Sequence, residues 1–329
     1  MANATLGYLL HSGKNSKAGY YLKAGFRDLL PDACFRRRLE RELEECRRLY
    51  DERYIQERVD YYCRLASPTP LGPNATEIGA LTLRGNPSTY YYDSRELLQW
   101  FDPRLHWNYL FGDVRDIPPY PTLVKSRAVG VDNSNSVLLK LDRCRHYVYL
   151  RDRIPFERKT DRAIFRGQVG TRENRILFCQ KFGDNPRVDL ANTLANGSIF
   201  AGRDKGAFTK PRLSLYEHLH FRYIMALEGN DVASNLRWVM SSRSLAVMPQ
   251  PTCETWFMEE RLKPGEHYVE VAPDFSNLES QLDYYSSHPK EANEIADNAN
   301  CYVSQFRDER RERYIGLLVM QKYFKMTNP

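Results

Sequence analysis

Residues 162–183, RAIFRGQVGTRENRILFCQKFG, decide how this chain folds. Arg162 to Phe165 has the short apolar run of a strand. Gly167 and Gly170 mark a turn, and the spacing from Thr171 onward is helical until Gly183 stops it. Toward the C-terminus the same alternation continues. PRVDLAN (186–192) reads as the next strand, and LHFRYIMALEG (219–229) as another that ends in Gly229. A helix is expected from near Ala233, then strands at LAVMPQ (245–250) and HYVEVAPD (267–274), then two helices across 275–306. Strands and helices in alternation predict a parallel sheet with helices on both faces, an α/β fold.

Toward the N-terminus, His146 to Leu150 reads as a strand followed by a charged connection, and the interdomain boundary is placed near Pro155. LHWNYLFGDV (105–114) predicts a strand, SRELLQWF (94–101) a helix, and SPTPLGPNATEIG (67–79) a break. Pro31 to Leu65 reads as one long helix, because Phe35, Leu39, Leu43, Cys46 and Leu49 share a face. Its remaining circumference is rich in Arg and Glu. That basic face is expected either to be simply solvated or to rest on anionic lipid or a phosphorylated acceptor. The expected domains are 1–155, including the helical extension, then 156–306, then a final helix over 307–329 that returns to the N-terminal domain.

The 329 residues suffice for two domains, and 42% hydrophobic content fits a folded chain. A net charge of +6 suits an anionic partner but falls short of the clustering of a dedicated nucleic-acid binder. The 22 tyrosines suit polar grooves that stack on flat ligands, or simply a tyrosine-rich surface. Seven scattered cysteines with no CxxC pair signal neither a zinc site nor a disulfide framework, so a reducing, cytoplasmic setting is expected. No apolar run approaches the ~20 residues that span a bilayer, and the N-terminus lacks a signal-peptide core.

Four clusters carry chemistry. Arg166 and Gly167, followed by Thr171, Arg172 and Arg175, lie where a strand gives way to a helix. Backbone amides and planar guanidinium groups there suit phosphate. LEGNDVASNLRW (227–238) repeats this geometry: Gly229 admits close approach, Arg237 follows, and Ser234 either bonds a phosphate or caps the helix. Two such turns at strand C-termini converge where open α/β sheets bind ligands. In GDVRDIPPYP (112–121), Asp116 precedes a proline-stiffened loop and either caps the turn or serves as a held carboxylate. Arg115 beside it either holds the loop or depresses that carboxylate's pKa. In the fourth, Glu254 and Trp256 follow a strand at the same sheet edge. The carboxylate is placed to bond ribose hydroxyls, while the ring either packs on a ligand or belongs to the core.

Other signatures are missing from the sequence. There is no Asp-x-Asp and no GxGxxG, and Gly197-x4-Gly202 lacks the Lys-Ser/Thr of a P-loop. His218-x-His220 has no third ligand in spacing, so no metal site is expected.

The ordered set resembles glycosyltransferase family 90, which contains bacterial lipopolysaccharide-modifying transferases, fungal capsule-associated proteins and animal protein O-glucosyltransferases. The resemblance runs from about Asp113 to Phe306. It includes R-D-x-P at Arg115 to Pro118 and F-R-G-x3-T-R-x2-R at Phe165 to Arg175. It continues with G-x3-A-S-x2-R at Gly229 to Arg237 and E-x-W-F-x4-L-K-P-x2-H-Y-V at Glu254 to Val269. The first hundred or so residues match nothing in it.

The resemblance implies a GT-B fold: two Rossmann-like domains facing across a cleft, with an N-terminal helical extension. It also implies an inverting transfer of a hexose or pentose from a UDP-sugar to a glycan or lipid-linked glycan hydroxyl, with no metal or other cofactor. Asp116 would be the general base, and Arg166, Gly167, Ser234 and Arg237 would hold the donor. Secretory-pathway features of the animal members are absent from the sequence. The acceptor is therefore expected to be bacterial lipopolysaccharide or another cell-surface glycan at the inner face of a membrane. A catalytically silent glycan- or nucleotide-binding protein and a transferase with a protein acceptor are the alternatives. No nucleic-acid partner is expected.

Overall fold

A computed structural model describes residues 12–193, 208 and 210–328. The Gly197-x4-Gly202 stretch lies outside the described residues. The chain divides into two compact units. One comprises His146–Pro251 and Arg261–Gln305 with the segment that ends at Asn15. The other comprises Ser16–Arg145, Thr252–Glu260 and the C-terminal segment from Phe306. The expected break at Pro155 therefore lies nine residues inside the first unit, and residues 252–260 belong with the N-terminal half of the chain.

The first unit is built on a five-stranded sheet. Its strands are β1 (Thr160–Gly167), β2 (Val188–Asn192), β3 (Phe221–Met225), β4 (Leu245–Met248) and β5 (Val269–Glu270). The order across the sheet is β5-β4-β3-β1-β2 and every pairing is parallel, with Ile164 opposite Ile224 and Val247 opposite Val269. Strands covered on both faces read as unbroken apolar runs, and Leu245–Met248 is buried throughout. Phe165, Leu190, Tyr223, Met225 and Val247 form one core with Phe178 and Phe182 of the helix Glu173–Phe182 and with Leu278, Leu282 and Ile295 of the two late helices. Gly183 ends the first helix, though not by a left-handed turn: its φ is −58°. A side chain there would run into the ring of Phe208.

His146 to Leu150 is not a strand. Arg143–His146 forms one helical turn, and the chain then runs on irregularly although Tyr147, Val148 and Leu150 are buried. Side chains satisfy its backbone in place of a neighbouring strand. Asn15 donates to the Tyr147 carbonyl at 3.0 Å, and the Leu150 amide donates to Ser241 Oγ at 2.9 Å.

The second unit is richer in helices. Pro31 to Leu65 is three of them, Asp32–Arg36, Leu39–Leu49 and Glu52–Tyr62, rather than one. The last is started by Asp51, whose carboxylate accepts the Tyr54 amide at 2.7 Å. A further helix, Lys17–Asp28, precedes them. The sheets are small: a parallel set of Tyr109–Leu110, Thr122–Val124 and Ser136–Leu138, and antiparallel pairs joining Ser126–Ala128 to Cys253–Thr255 and Thr76–Glu77 to His106–Trp107. The C-terminal helix Glu309–Thr327 buries Ile315, Leu317, Val319 and Met320 within this unit. Its Glu312 accepts from Arg58 at 3.0 Å, Lys140 at 3.2 Å and Trp256 Nε1 at 2.6 Å, so the buried carboxylate is fully paired. Trp256, stacked on Tyr62 at 3.8 Å, is a core residue. The molecule is thus a mixed α/β protein with parallel sheets in both units.

Candidate active site

In the first unit, the backbones that leave the C-terminal ends of β1 and β3 are held together by one side chain. Arg175, in the first turns of the helix after β1, donates to the carbonyls of Leu227 (2.6 Å), Glu228 (2.9 Å) and Gln168 (2.6 Å). Asn174 adds a bond to the Glu228 carbonyl at 3.1 Å. The planar guanidinium fork is what allows three carbonyls to be gathered at once. Gly229 is the next residue. A β-carbon on it would sit 3.2 Å from Arg175 Nη2 and 3.6 Å from Arg172 Nε, so the glycine lets the arginines approach the backbone. Gly170 has φ +56°, and a β-carbon there would lie 2.7 Å from Arg172 Nη1.

This brings together Gly167, Thr171, Arg172, Arg175 and Gly229 along one edge of the sheet. Thr171 is exposed, and no described side chain caps the helix that starts at Glu173. Arg172 Nε is buried and bonds no described residue. Ser234 is half-buried. The helix-capping position is Asn235, whose side chain bonds the Met225 carbonyl at 2.9 Å, so Ser234 is not a cap. A helix start, an arginine and a hydroxyl gathered at strand ends can receive an anion.

Two expected donor-binding arginines are turned toward protein. Arg166 forks onto Asp189 of β2, from Nη2 to the carboxylate at 2.7 Å and from Nη1 to the carbonyl at 2.8 Å. Lys210 meets the other carboxylate oxygen at 2.6 Å. Burial pushes the Asp189 pKa up, but the bonds from Arg166 and Lys210 outweigh it and hold the carboxyl below its usual range. Arg237 is 0% exposed; its Nη1 lies 3.0 Å from His146 Nδ1 and its guanidinium lies over the Tyr147 ring at 4.8 Å. Arginine is always the donor, so the neutral His146 ring carries its proton on Nε2. Neither Asp189 nor His146 is legible as a partner, because the sequence shows nothing that links Arg166 to a residue 23 positions on or Arg237 to one 91 positions back.

Glu254 belongs to the second unit and is fully buried. One oxygen accepts from Arg127 Nε at 2.7 Å and the other from the Tyr61 hydroxyl. Burial, then the neighbouring carboxylate, pushes the Tyr61 pKa up, so the phenol stays a donor. A ribose-binding role does not fit a carboxylate whose oxygens are both occupied inside its unit. Among the described residues, no group of three or more His, Cys, Asp or Glu is placed to hold a metal ion. His218 is buried against Trp238, and burial pushes its pKa down.

Asp116, also in the second unit, is exposed, and its carboxylate bonds no residue among those described. It therefore does not cap its turn. The loop beneath it is fixed: Ser126 Oγ accepts the Val114 amide at 3.2 Å and donates to the Val114 carbonyl at 2.9 Å. Lys125 pairs with Asp113, and Asn135 bonds the Pro118 carbonyl at 3.1 Å.

The first unit thus carries cationic turns at the strand ends of a parallel sheet, and a loop of the second unit bears a carboxylate that bonds no described residue. Residues 139–328 match the model of Glycosyl transferase family 90. The chain is 39% identical to O-glucosyltransferase LpsA of Dichelobacter nodosus, over 95% of this chain and 96% of that protein. It is also 25% identical to Protein O-glucosyltransferase 3 of Homo sapiens, over 50% of this chain and 32% of that protein. With Protein O-glucosyltransferase 1 of Mus musculus the identity is 26%, over 45% of this chain and 38% of that protein. The chain belongs to glycosyltransferase family 90 and is a glycosyltransferase. The family match reaches further toward the C-terminus than the sequence motifs do, taking in the last helix, and it begins after Asp116.

Proposed function

We propose that this enzyme transfers a hexose, glucose before others, from a UDP-sugar to a hydroxyl of lipopolysaccharide or another cell-surface glycan, with inversion at the anomeric carbon. The observation that carries the reading is the Arg175 clasp, which sets Arg172 beside Gly229 where two adjacent strands end, with Thr171 next to it in the chain. The name O-glucosyltransferase, borne by a relative matched over nearly its whole length, supports glucose as the sugar.

In this reading the first unit binds the donor. The helix start at Glu173, with Arg172, Thr171 and Ser234, receives the diphosphate, and Arg175 fixes the shape of the site. Arg166 and Arg237 act through their partners Asp189 and His146, holding β2 and the residues before β1 in place. Asp116 accepts the proton of the acceptor hydroxyl as its oxygen forms a bond to the anomeric carbon. The bond from that carbon to the UDP oxygen breaks, and its electron pair leaves with UDP. Positive charge from arginine and helix amides stabilises the departing diphosphate in the place a metal would otherwise take.

The test is transfer of label from UDP-glucose to lipopolysaccharide, run with and without EDTA. Label in the glycan, unaffected by EDTA, supports the reading, and failure of every UDP-sugar to label any glycan sinks it. A protein acceptor is the second reading, favoured by the names of the two mammalian relatives; label in a polypeptide instead of a glycan would establish it.

A further inference from the structure

The helix Lys17–Asp28 is amphipathic in the wrong sense for a helix packed on a protein. Its inward side buries the small Ala24 and otherwise makes polar contacts. Tyr20 donates to Asp93 at 2.7 Å, Tyr21 bonds Ser88 at 2.8 Å, and Arg27 pairs with Glu96 at 2.6 Å. Its outward side is apolar: Leu22 is 74% exposed, Phe26 71% and the terminal Leu29 83%. These recur at steps of four and three, so they form one stripe, with Leu30 exposed just beyond its end. Ala18, Gly19 and Gly25 occupy the same side and add no polar group. By contrast, the helix Leu39–Leu49 buries Leu43 and Cys46 and turns its charges outward.

Lys23 lies at the edge of the stripe, and Arg37 and Arg38 follow in the chain, all exposed. Lys23 meets Glu309 at 3.4 Å, a pair in which both side chains are more than three-quarters exposed and which is therefore weak. The two acids of this stretch, Asp28 and Asp32, are both paired with Arg95. An apolar stripe on one helix, with Lys23 at its edge and exposed arginines in the chain that follows, matches the chemistry of an anionic bilayer interface, where the apolar face enters the headgroup boundary and cations meet lipid phosphates. A second copy of the chain fits less well, since a stable interface engages about 20–30 residues on each side and this face is a single short helix.

We infer that Lys17–Leu30 is an interfacial anchor that seats the protein on an anionic membrane surface. The helix lies in the plane of the interface and places Leu22, Phe26 and Leu29 among the acyl chains. The inference is independent of the transfer reaction, because the binding is read without donor or acceptor.

The experiment is co-sedimentation of the full chain with vesicles of phosphatidylcholine alone and of phosphatidylcholine with phosphatidylglycerol. The wild type is expected to sediment with the anionic vesicles at low salt and to be released as salt rises. Leu22→Ser, Phe26→Ser and Leu29→Ser combined should lower the partition coefficient at least about 100-fold. The triple variant should keep the wild-type melting temperature and monomer solubility, since the stripe is largely exposed. Lys23→Glu with Arg37→Glu and Arg38→Glu should weaken binding to anionic vesicles and leave binding to neutral ones unchanged. Undiminished sedimentation of the triple variant overturns the inference. So does a wild type that ignores both vesicle types, or one that forms a dimer abolished by the serine substitutions.

Discussion

Arg175 donates from Nη2 to the carbonyl oxygen of Leu227 at 2.6 Å, joining the helix that follows β1 to the backbone just beyond β3. The same guanidinium reaches Glu228 and Gln168, so one side chain fixes the relative position of two turns. Arg175→Ala removes three charge-assisted bonds to backbone and leaves those carbonyls short of donors. A loss of about 2–4 kcal/mol in urea unfolding is expected, with UDP binding weakened at least tenfold. Arg175→Lys should recover less than half of either loss, because an ammonium cannot present the fork. Full activity in Arg175→Ala would remove the clasp from the account.

Gly170 tests the same turn by a different route. At φ +56°, and with Arg172 Nη1 2.7 Å from where a β-carbon would sit, alanine meets both backbone strain and a side chain in its way. Gly170→Ala is expected to cost about 1–2 kcal/mol of stability. It should also weaken UDP binding more than it weakens folding, since Arg172 is the group displaced. Calorimetric titration with UDP beside a thermal melt separates the two.

Most of the parallel sheet was legible because strands covered on both faces are continuous apolar runs, as Leu245–Met248 shows. The spacing of Phe35, Leu39 and Leu43 predicts one helix from Pro31 to Leu65, but the helix breaks at Arg37 and Arg38. The Asp51 cap was the overlooked stop. The helix Lys17–Asp28 is not expected from the sequence because Gly19 and Gly25 lower its helix propensity, although Leu22, Phe26 and Leu29 recur at helical steps. The roles of Arg237 and Glu254 could not be read from residue type. Charge says that a partner is needed, but the partners lie 91 and 127 residues away.

Acid stability carries a separate signature. Glu96 is half-buried between Arg27 and Arg143. Burial pushes its carboxyl up, but the two guanidinium groups more than offset this and bring it to about 2, against an ordinary 4.5. A folded pKa below the unfolded one gives stability that is full above the unfolded value and is lost as pH falls from about 4.5 toward 2. The amount is on the order of 3 kcal/mol. Glu96→Gln should lower the melting temperature at pH 7 and flatten the fall between pH 5 and 3. An unchanged acid limb in that variant would mean that the pair contributes nothing to folding.

Asp116 stands exposed on a loop held by Ser126 and Asn135, with its carboxylate bonded to no described residue, and the account makes it the acceptor of the hydroxyl proton. The most direct measurement compares Asp116→Asn with wild type for UDP affinity and for the rate of glucosyl transfer from UDP-glucose. The amide cannot take a proton, so transfer should fall by about 10²–10⁴-fold while UDP affinity and melting temperature stay at wild-type values. Wild-type transfer by an Asp116→Asn enzyme that binds UDP normally would contradict the account.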